Sequence, residues 1–283
     1  VTVNAGMQMA FVPEASDPGQ GVATFLGTGT SVGVPAIGCD CEVCQSNDPK
    51  NNRTRCAITV RLPGGTLLID TPPDLRHQLI RERIRLIHAV LYTHEHADHL
   101  FGLDDLRLMP FRLGHPVPMY CTEVVERQIR AAYSYAFSDR EDTHPGATPK
   151  LEPVRIDESP QSILGVRVLP IPMKHGPHFD VFGYRIGDFA YCTDTNSIPA
   201  ASIERLRGVR TFVVGALRDE PHPTHFNIDQ AIEVARKVGA ERTLLTHTGH
   251  QLEYSVTNSR LPDGIEMAFD GLQVPIVLES ASA

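Results

Sequence analysis

The densest chemistry in the chain is Thr93-His94-Glu95-His96-Ala97-Asp98-His99, directly after the strand-like run 89–92. His94 and His96 stand two apart in extended backbone, so their side chains point the same way. Asp98 and His99 open the next helical turn and can reach a second point in the same space. An imidazole pair beside a carboxylate–imidazole pair is a donor set for two divalent cations a few Å apart, a metal-site hypothesis carried by spacing as well as residue type. Three more candidates fall at similar points: His175 after the apolar run 168–173, Asp194 after 189–193 and His247 after 243–246. A lone His past a strand is ordinary. Four strand ends that each deliver N or O ligands can converge where the loops at one end of a sheet meet.

A softer cluster precedes them. Cys39, Cys41 and Cys44 form a C-x-C-x₂-C run, three soft ligands that lack a fourth for tetrahedral zinc. They are too close together to pair as unstrained disulfides. Cys56, Cys121 and Cys192 lie in apolar runs and read as buried, reduced thiols. This usage, with no basic start or apolar h-region at the N-terminus, leads to an expectation of a cytoplasmic protein.

The elements that must position these groups are mostly strands. Short β-rich runs occur at 22–26, 57–62, 66–69, 88–92, 118–121, 163–169, 181–186, 189–192, 211–214, 242–245 and 272–278. Helical periodicity predicts helices over 74–83, 99–109, 123–135, 200–207 and 228–238, the last with a broad apolar stripe and Asn227 as its N-cap. The Pro- and charge-rich 139–161 segment reads as a surface loop, and 1–20 as a frayed extension before a single domain over 21–283. Strands outnumber helices and helices fall between them, which predicts an α/β architecture of stacked sheets with helices on the outer faces.

Composition narrows the function. With 26 basic against 34 acidic side chains the net charge is -8, which argues against a general nucleic-acid coat or a membrane-surface binder. No apolar stretch approaches the ~18 residues of a membrane span. Zero Trp and 6% aromatics disfavour an aromatic binding platform, whereas 13 His favour metal or acid–base chemistry.

The His-x-His-x-Asp-His loop and its partners resemble the metallo-β-lactamase-fold hydrolase superfamily over roughly residues 22–278. The resemblance implies an αββα sandwich, two mixed β-sheets packed face to face with helices outside. It implies His94, His96 and His175 on one divalent cation and Asp98, His99 and His247 on the other. Asp194 would bridge them, with a water made nucleophilic between the two ions. Asp70, closing Leu67-Leu68-Ile69-Asp70-Thr71, matches the family's early Asp, which orients the histidine loop; a helix-capping role fits it about as well.

Within that superfamily, Gly27-Thr28-Gly29-Thr30, Gly33-Val34-Pro35, Thr246-His247-Thr248-Gly249-His250, Leu261-Pro262 and Phe269-Asp270-Gly271 resemble the phosphodiesterases of the carbon–phosphorus lyase pathway. That branch implies that His250 completes a structural Zn²⁺ site with Cys39, Cys41 and Cys44. It also implies that His225, 22 residues before His247, protonates the leaving oxygen or holds a phosphoryl oxygen. The expected catalytic residues are His225, Asp98 and Asp194. The expected cofactors are two divalent ions, Mn²⁺ or Zn²⁺, with Fe²⁺ and Ni²⁺ also suited to a His/Asp shell.

The expected reaction is hydrolysis of small phosphodiesters, cyclic ones such as ribosyl or nucleoside cyclic phosphates included. The expected partner is that substrate, with a homodimer also considered. A tRNA 3′-processing endoribonuclease uses the same metal residues but wants a basic exosite. A lactone or thioester hydrolase would polarise a carbonyl with the same ions. A non-enzymatic metal-binding protein leaves His225 without a task. His77, His88, His115, His144, His178 and His222 read as surface or packing residues, and 27–33 as a turn without the Lys-Ser/Thr of a phosphate loop.

Overall fold

The computed structural model describes residues 17, 19–138, 144 and 146–279, in which fourteen strands form two seven-stranded sheets. The first sheet takes β1 (Gln20–Gly27), β2 (Ala57–Leu62), β3 (Gly65–Ile69), β4 (Ala89–Leu91), β5 (Val117–Cys121) and β6 (Leu151–Arg155). The second takes β7 (Gln161–Ile163), β8 (Val166–His175), β9 (Phe179–Ile186), β10 (Phe189–Cys192), β11 (Thr211–Gly215), β12 (Arg242–Thr246) and β13 (Ile265–Met267). A last strand, β14 (Gln273–Val277), returns to the first sheet beside β1, giving the orders β14-β1-β2-β3-β4-β5-β6 and β13-β12-β11-β10-β9-β8-β7. In each sheet antiparallel pairing gives way to parallel pairing, at β3–β4 in the first and β10–β11 in the second. Parallel strands are buried on both faces, and β4, β10 and β11 are buried along their whole length.

The apolar side chains divide into three layers. Phe25, Ile58 and Leu67 of the first sheet meet Tyr184, Tyr191 and Val213 of the second, so this cluster lies between the sheets. Helices α1 (Leu75–Arg81), α2 (Ala97–Leu100), α3 (Met109–Leu113) and α4 (Glu123–Ala132) cover the first sheet through Leu75, Leu100, Met109 and Ile129. Helices α5 (Ala200–Leu206) and α6 (Ile228–Val238) cover the second through Ile203, Leu206, Ala231 and Val238, with α7 (Tyr254–Arg260) beyond them. The expected αββα sandwich is the observed fold. Among the described residues no helix is long and apolar enough to cross a membrane.

Three local expectations need correction. The single helix over 99–109 is broken into α2, a 3₁₀ turn at Leu103–Leu106 and α3. Gly102 causes the break, because its amide donates to the Thr71 carbonyl and a Cβ there would sit 2.0 Å from the Pro72 oxygen. The 139–161 segment is not all loop, since β6 pairs in parallel with β5; as a half-exposed edge strand containing Pro153 it lacks the apolar alternation that marks a strand. The short α7 and β13 went unpredicted. Most of the expected 1–20 extension lies outside the described residues, and Gln20 already belongs to β1.

The Asn227 cap is as expected. Its side chain accepts from the Gln230 amide at 2.9 Å while the Gln230 side chain accepts from the Asn227 amide at 3.0 Å, a reciprocal capping box. Asn227→Ala should lower unfolding free energy by about 1 kcal/mol, read as a shifted urea midpoint with unchanged slope.

Candidate dinuclear metal centre

The candidate ligands gather where strands from both sheets end. Asp70 follows β3, the histidine loop follows β4, His175 closes β8, Asp194 follows β10 and His247 follows β12. Ligand atoms of His94, His96 and His175 lie within 4.8 Å of one another, as do those of Asp98, His99, Asp194 and His247. One Asp194 oxygen is 3.4 Å from His99 Nε2, and the other is 3.2 Å from His247 Nε2 and 4.0 Å from His94 Nε2. Asp98 approaches His99 Nε2 at 3.4 Å and His247 Nε2 at 3.8 Å. Two N/O ligands on one tetrahedral ion with bonds of 2.0–2.1 Å stand about 3.3–3.4 Å apart, so these separations suit a shared cation. Asp194 touches both groups.

The histidines are pre-oriented. His99 Nδ1 donates to Asp70 at 2.7 Å, and His175 Nδ1 donates to the Thr224 carbonyl at 2.7 Å. Thr93 Oγ1 gives its proton to Asp70 at 2.8 Å and so accepts from His94 Nδ1 at 2.9 Å. In each ring the Nε2 is left for the site. His94 Nε2 and His99 Nε2 are buried with no hydrogen-bond partner among the described residues, an arrangement that costs free energy unless another group satisfies those nitrogens. The donor set therefore fits divalent cations, and Asp70 sits where the sequence placed it, behind the loop.

The electrostatics agree. Burial pushes the His94 pKa well below its ordinary value, which favours the neutral imidazole that a metal needs. Burial also opposes charge on His99, but Asp194, Asp98 and Asp70 overcome it and hold that imidazole well above the usual range. Burial works against ionisation of Asp194, yet His247, His99 and His94 keep its pKa well below that of an ordinary carboxylate.

Three strained turns complete the frame. Asp194 and His247 adopt φ of 46° and 55°, and Asp70 has φ of 66°, left-handed conformations that cost about 1–3 kcal/mol each in a non-glycine residue. Nearby, Asn196 accepts from the Gly176 amide and donates to the Pro223 carbonyl, both at 2.8 Å. These bonds tie the His175 loop to 222–225. Gly176 has φ of +68° and a Cβ would meet Thr224 Cγ2 at 2.7 Å, so only glycine lets the two loops close.

His225 lies inside this assembly. Its ring stacks on His247 with centroids 4.7 Å apart, and a ligand atom of it is within 4.8 Å of those of His175 and Asp194. Burial and then His247 push its pKa down to about 3, so the ring is neutral near pH 7. His222, expected as a surface or packing residue, places its ring centroid 5.2 Å from that of His225. The two share a cavity of about 200 Å³ with Thr30, Ser31, Arg218 and Gln251. Arg218 and Gln251 carry no motif, and only the fold brings them here. His77, His115, His144 and His178 are exposed, and His88 Nδ1 accepts from the Thr66 amide, as the packing reading expects.

The cysteine cluster meets the far side of the same loop. His250 Nδ1 is 3.2 Å from Cys39 Sγ, 3.4 Å from Cys41 Sγ and 3.6 Å from Cys44 Sγ, close to the ~3.5 Å sulfur–nitrogen edge of a tetrahedral zinc site. The Cys44 amide and the His250 ring hold the Cys41 thiol down to about 6, which favours the thiolate. Cys56, Cys121 and Cys192 are buried free thiols.

Comparison with known proteins agrees with this geometry. A family model described as a beta-lactamase superfamily domain matches residues 66–248. The crystal structure of a new diphosphatase from the PhnP family is 42% identical, with a TM-score of 0.85, over 92% of this chain and 98% of that one. An octanoyltransferase from Porphyromonas gingivalis is 36% identical over 89% of this chain and 51% of its own length. A ribonuclease Z from Picosynechococcus is 28% identical over 58% of this chain and 46% of its own length. The chain thus spans about half the length of these two curated relatives. The fold family implies divalent metals, and the buried His/Asp cluster is a candidate site for them. With its sandwich fold and converging ligands, the chain belongs to the β-lactamase superfamily, as a metallo-β-lactamase-fold hydrolase close to the PhnP family.

Proposed function

We propose that this hydrolase is a metal-dependent phosphodiesterase that cleaves small, preferably cyclic, phosphodiesters. The observation that carries this reading is His225, held against His247 and His175 in a small cavity that also contains Arg218 and His222. Phosphodiester cleavage needs compensation of the phosphoryl charge and a proton for the departing alkoxide. Two divalent cations, when bound, supply charge compensation and an acidified water. His94, His96 and His175 would hold one, Asp98, His99 and His247 the other, and Asp194 both. Asp70, Thr93 and the Thr224 carbonyl keep the rings aimed. A neutral His225 donates a hydrogen bond to the leaving oxygen, and the negative charge of a bound phosphodiester raises its proton affinity. Arg218 and His222 face the rest of the substrate. The diphosphatase relative is also named for cleavage at phosphorus.

On this reading His225→Ala slows turnover of an alkoxide ester by about 10²–10⁴. It slows a nitrophenyl ester much less and leaves metal content unchanged. Equal losses with both esters would remove the leaving-group role. A phosphodiester, an acyl ester and a tRNA precursor assayed side by side should show turnover of the first alone. Asp194→Ala should lose metal and activity together, since one carboxylate serves both groups; an active, fully loaded variant would end its bridging role. Cys41→Ser should lower zinc by one equivalent and reduce Tm while the His/Asp cluster still binds its ions. Unchanged zinc and Tm would show the cysteine cluster to be metal-free.

A further inference from the structure

Four buried histidines face the candidate metal positions, and they are not aimed in the same way. Asp70, Thr93 and Thr224 hold the Nδ1 of His99, His94 and His175 at 2.7–2.9 Å. His247 Nδ1 is equally buried and meets no hydrogen-bond partner among the described residues. A metal-ligating histidine ordinarily donates its second ring N–H to an orienting group. With none, His247 has to be aimed by its backbone, which turns at φ +55° directly after β12.

That backbone is fastened from the other end of the chain. The Thr248 amide donates to the Thr28 carbonyl at 3.0 Å, and Thr248 pairs with Gly29 as an isolated parallel bridge. Thr28 is fully buried, and its hydroxyl donates to one oxygen of Asp270 at 2.8 Å. The other oxygen accepts from the Thr54 amide at 2.9 Å, the Thr54 hydroxyl at 2.6 Å and Arg81 Nη1 at 3.1 Å. The Gly29 amide in turn donates to the Thr54 carbonyl at 2.8 Å. One carboxylate thus clamps the end of β1 to the approach of β2, and the loop carrying His247 is laid against that clamp.

We infer that Thr28 and Asp270 are positioning residues for His247: Asp270 fixes the Thr28 carbonyl, whose bond to the Thr248 amide points the imidazole at Asp98 and Asp194. The inference rests on the reading above that Asp98, His99, Asp194 and His247 form one metal position. It gives a task to two motifs, Gly27–Thr30 and 269–271, that contribute no ligand. Its distinguishing consequence is asymmetry, because the clamp aims His247 and none of His94, His96 or His175.

The test compares the wild type with Thr28→Val, Thr28→Ser and Asp270→Asn. Each is loaded with Mn²⁺, which the thiolate cluster disfavours. Mn²⁺ affinity is titrated, and electron paramagnetic resonance separates a coupled pair from an isolated ion. The wild type should bind two coupled ions. Thr28→Val and Asp270→Asn should hold the second about 10–100-fold more weakly, leaving an isolated-ion spectrum, while Thr28→Ser restores the pair. Wild-type affinity at both positions in Thr28→Val, equal weakening of both, or failure of Thr28→Ser to recover would overturn the inference. Should Thr28→Val not fold, Asp270→Asn against Thr28→Ser decides the matter on the same readout. A wild type that never binds a coupled pair would refute the dinuclear reading itself, and this inference with it.

Discussion

A carboxylate only 2% exposed, Asp194, can remain ionised inside a protein only if positive charge is brought to it. That requirement organises the molecule. The compensating groups, His94 and His99 after β4 of the first sheet and His247 after β12 of the second, come from both sheets, so the two sheets have to close before the charge is matched. In the protein alone, imidazolium on His99 serves. A divalent cation, if bound, would supply that charge and take the place of one proton on His99, so acid would oppose its binding.

Closing the sheets around a buried charge places rigid demands on the backbone. The left-handed turns at Asp70, Asp194 and His247 are the sharpest sign of it, since each ends a buried strand and immediately redirects a side chain sideways into the site. The surroundings over-determine each one. Asp70 accepts from the Thr93 amide and hydroxyl and from His99. Asp194 accepts from the Thr193 hydroxyl at 2.6 Å. Gly215 lies so near that a Cβ would stand 3.2 Å from the Asp194 amide. Rigidity here is what keeps the rings and carboxylates of the site in fixed register.

The candidate ligand cluster was legible in the sequence because its pattern is local: a histidine loop after one strand, and single candidates after three others, are patterns of adjacent residues. The Asn227 cap and the αββα layering were readable for the same reason. What escaped depends on contacts distant along the chain. Gly102 breaks a helix because of the Pro72 oxygen, and β6 is a strand because β5 offers it an edge. His222 enters the cavity because Asn196 and Gly176 pin the 222–225 loop. Periodicity carries no record of such partners.

The return of β14 to the side of β1 has a geometric corollary. β1 runs parallel to β3, since both pair antiparallel with β2, and its far end leads through Thr28 toward the ligands. Its near end, where Gln20 pairs with Val277, therefore lies at the pole opposite the metal centre, and both ends of the described chain leave the sandwich there.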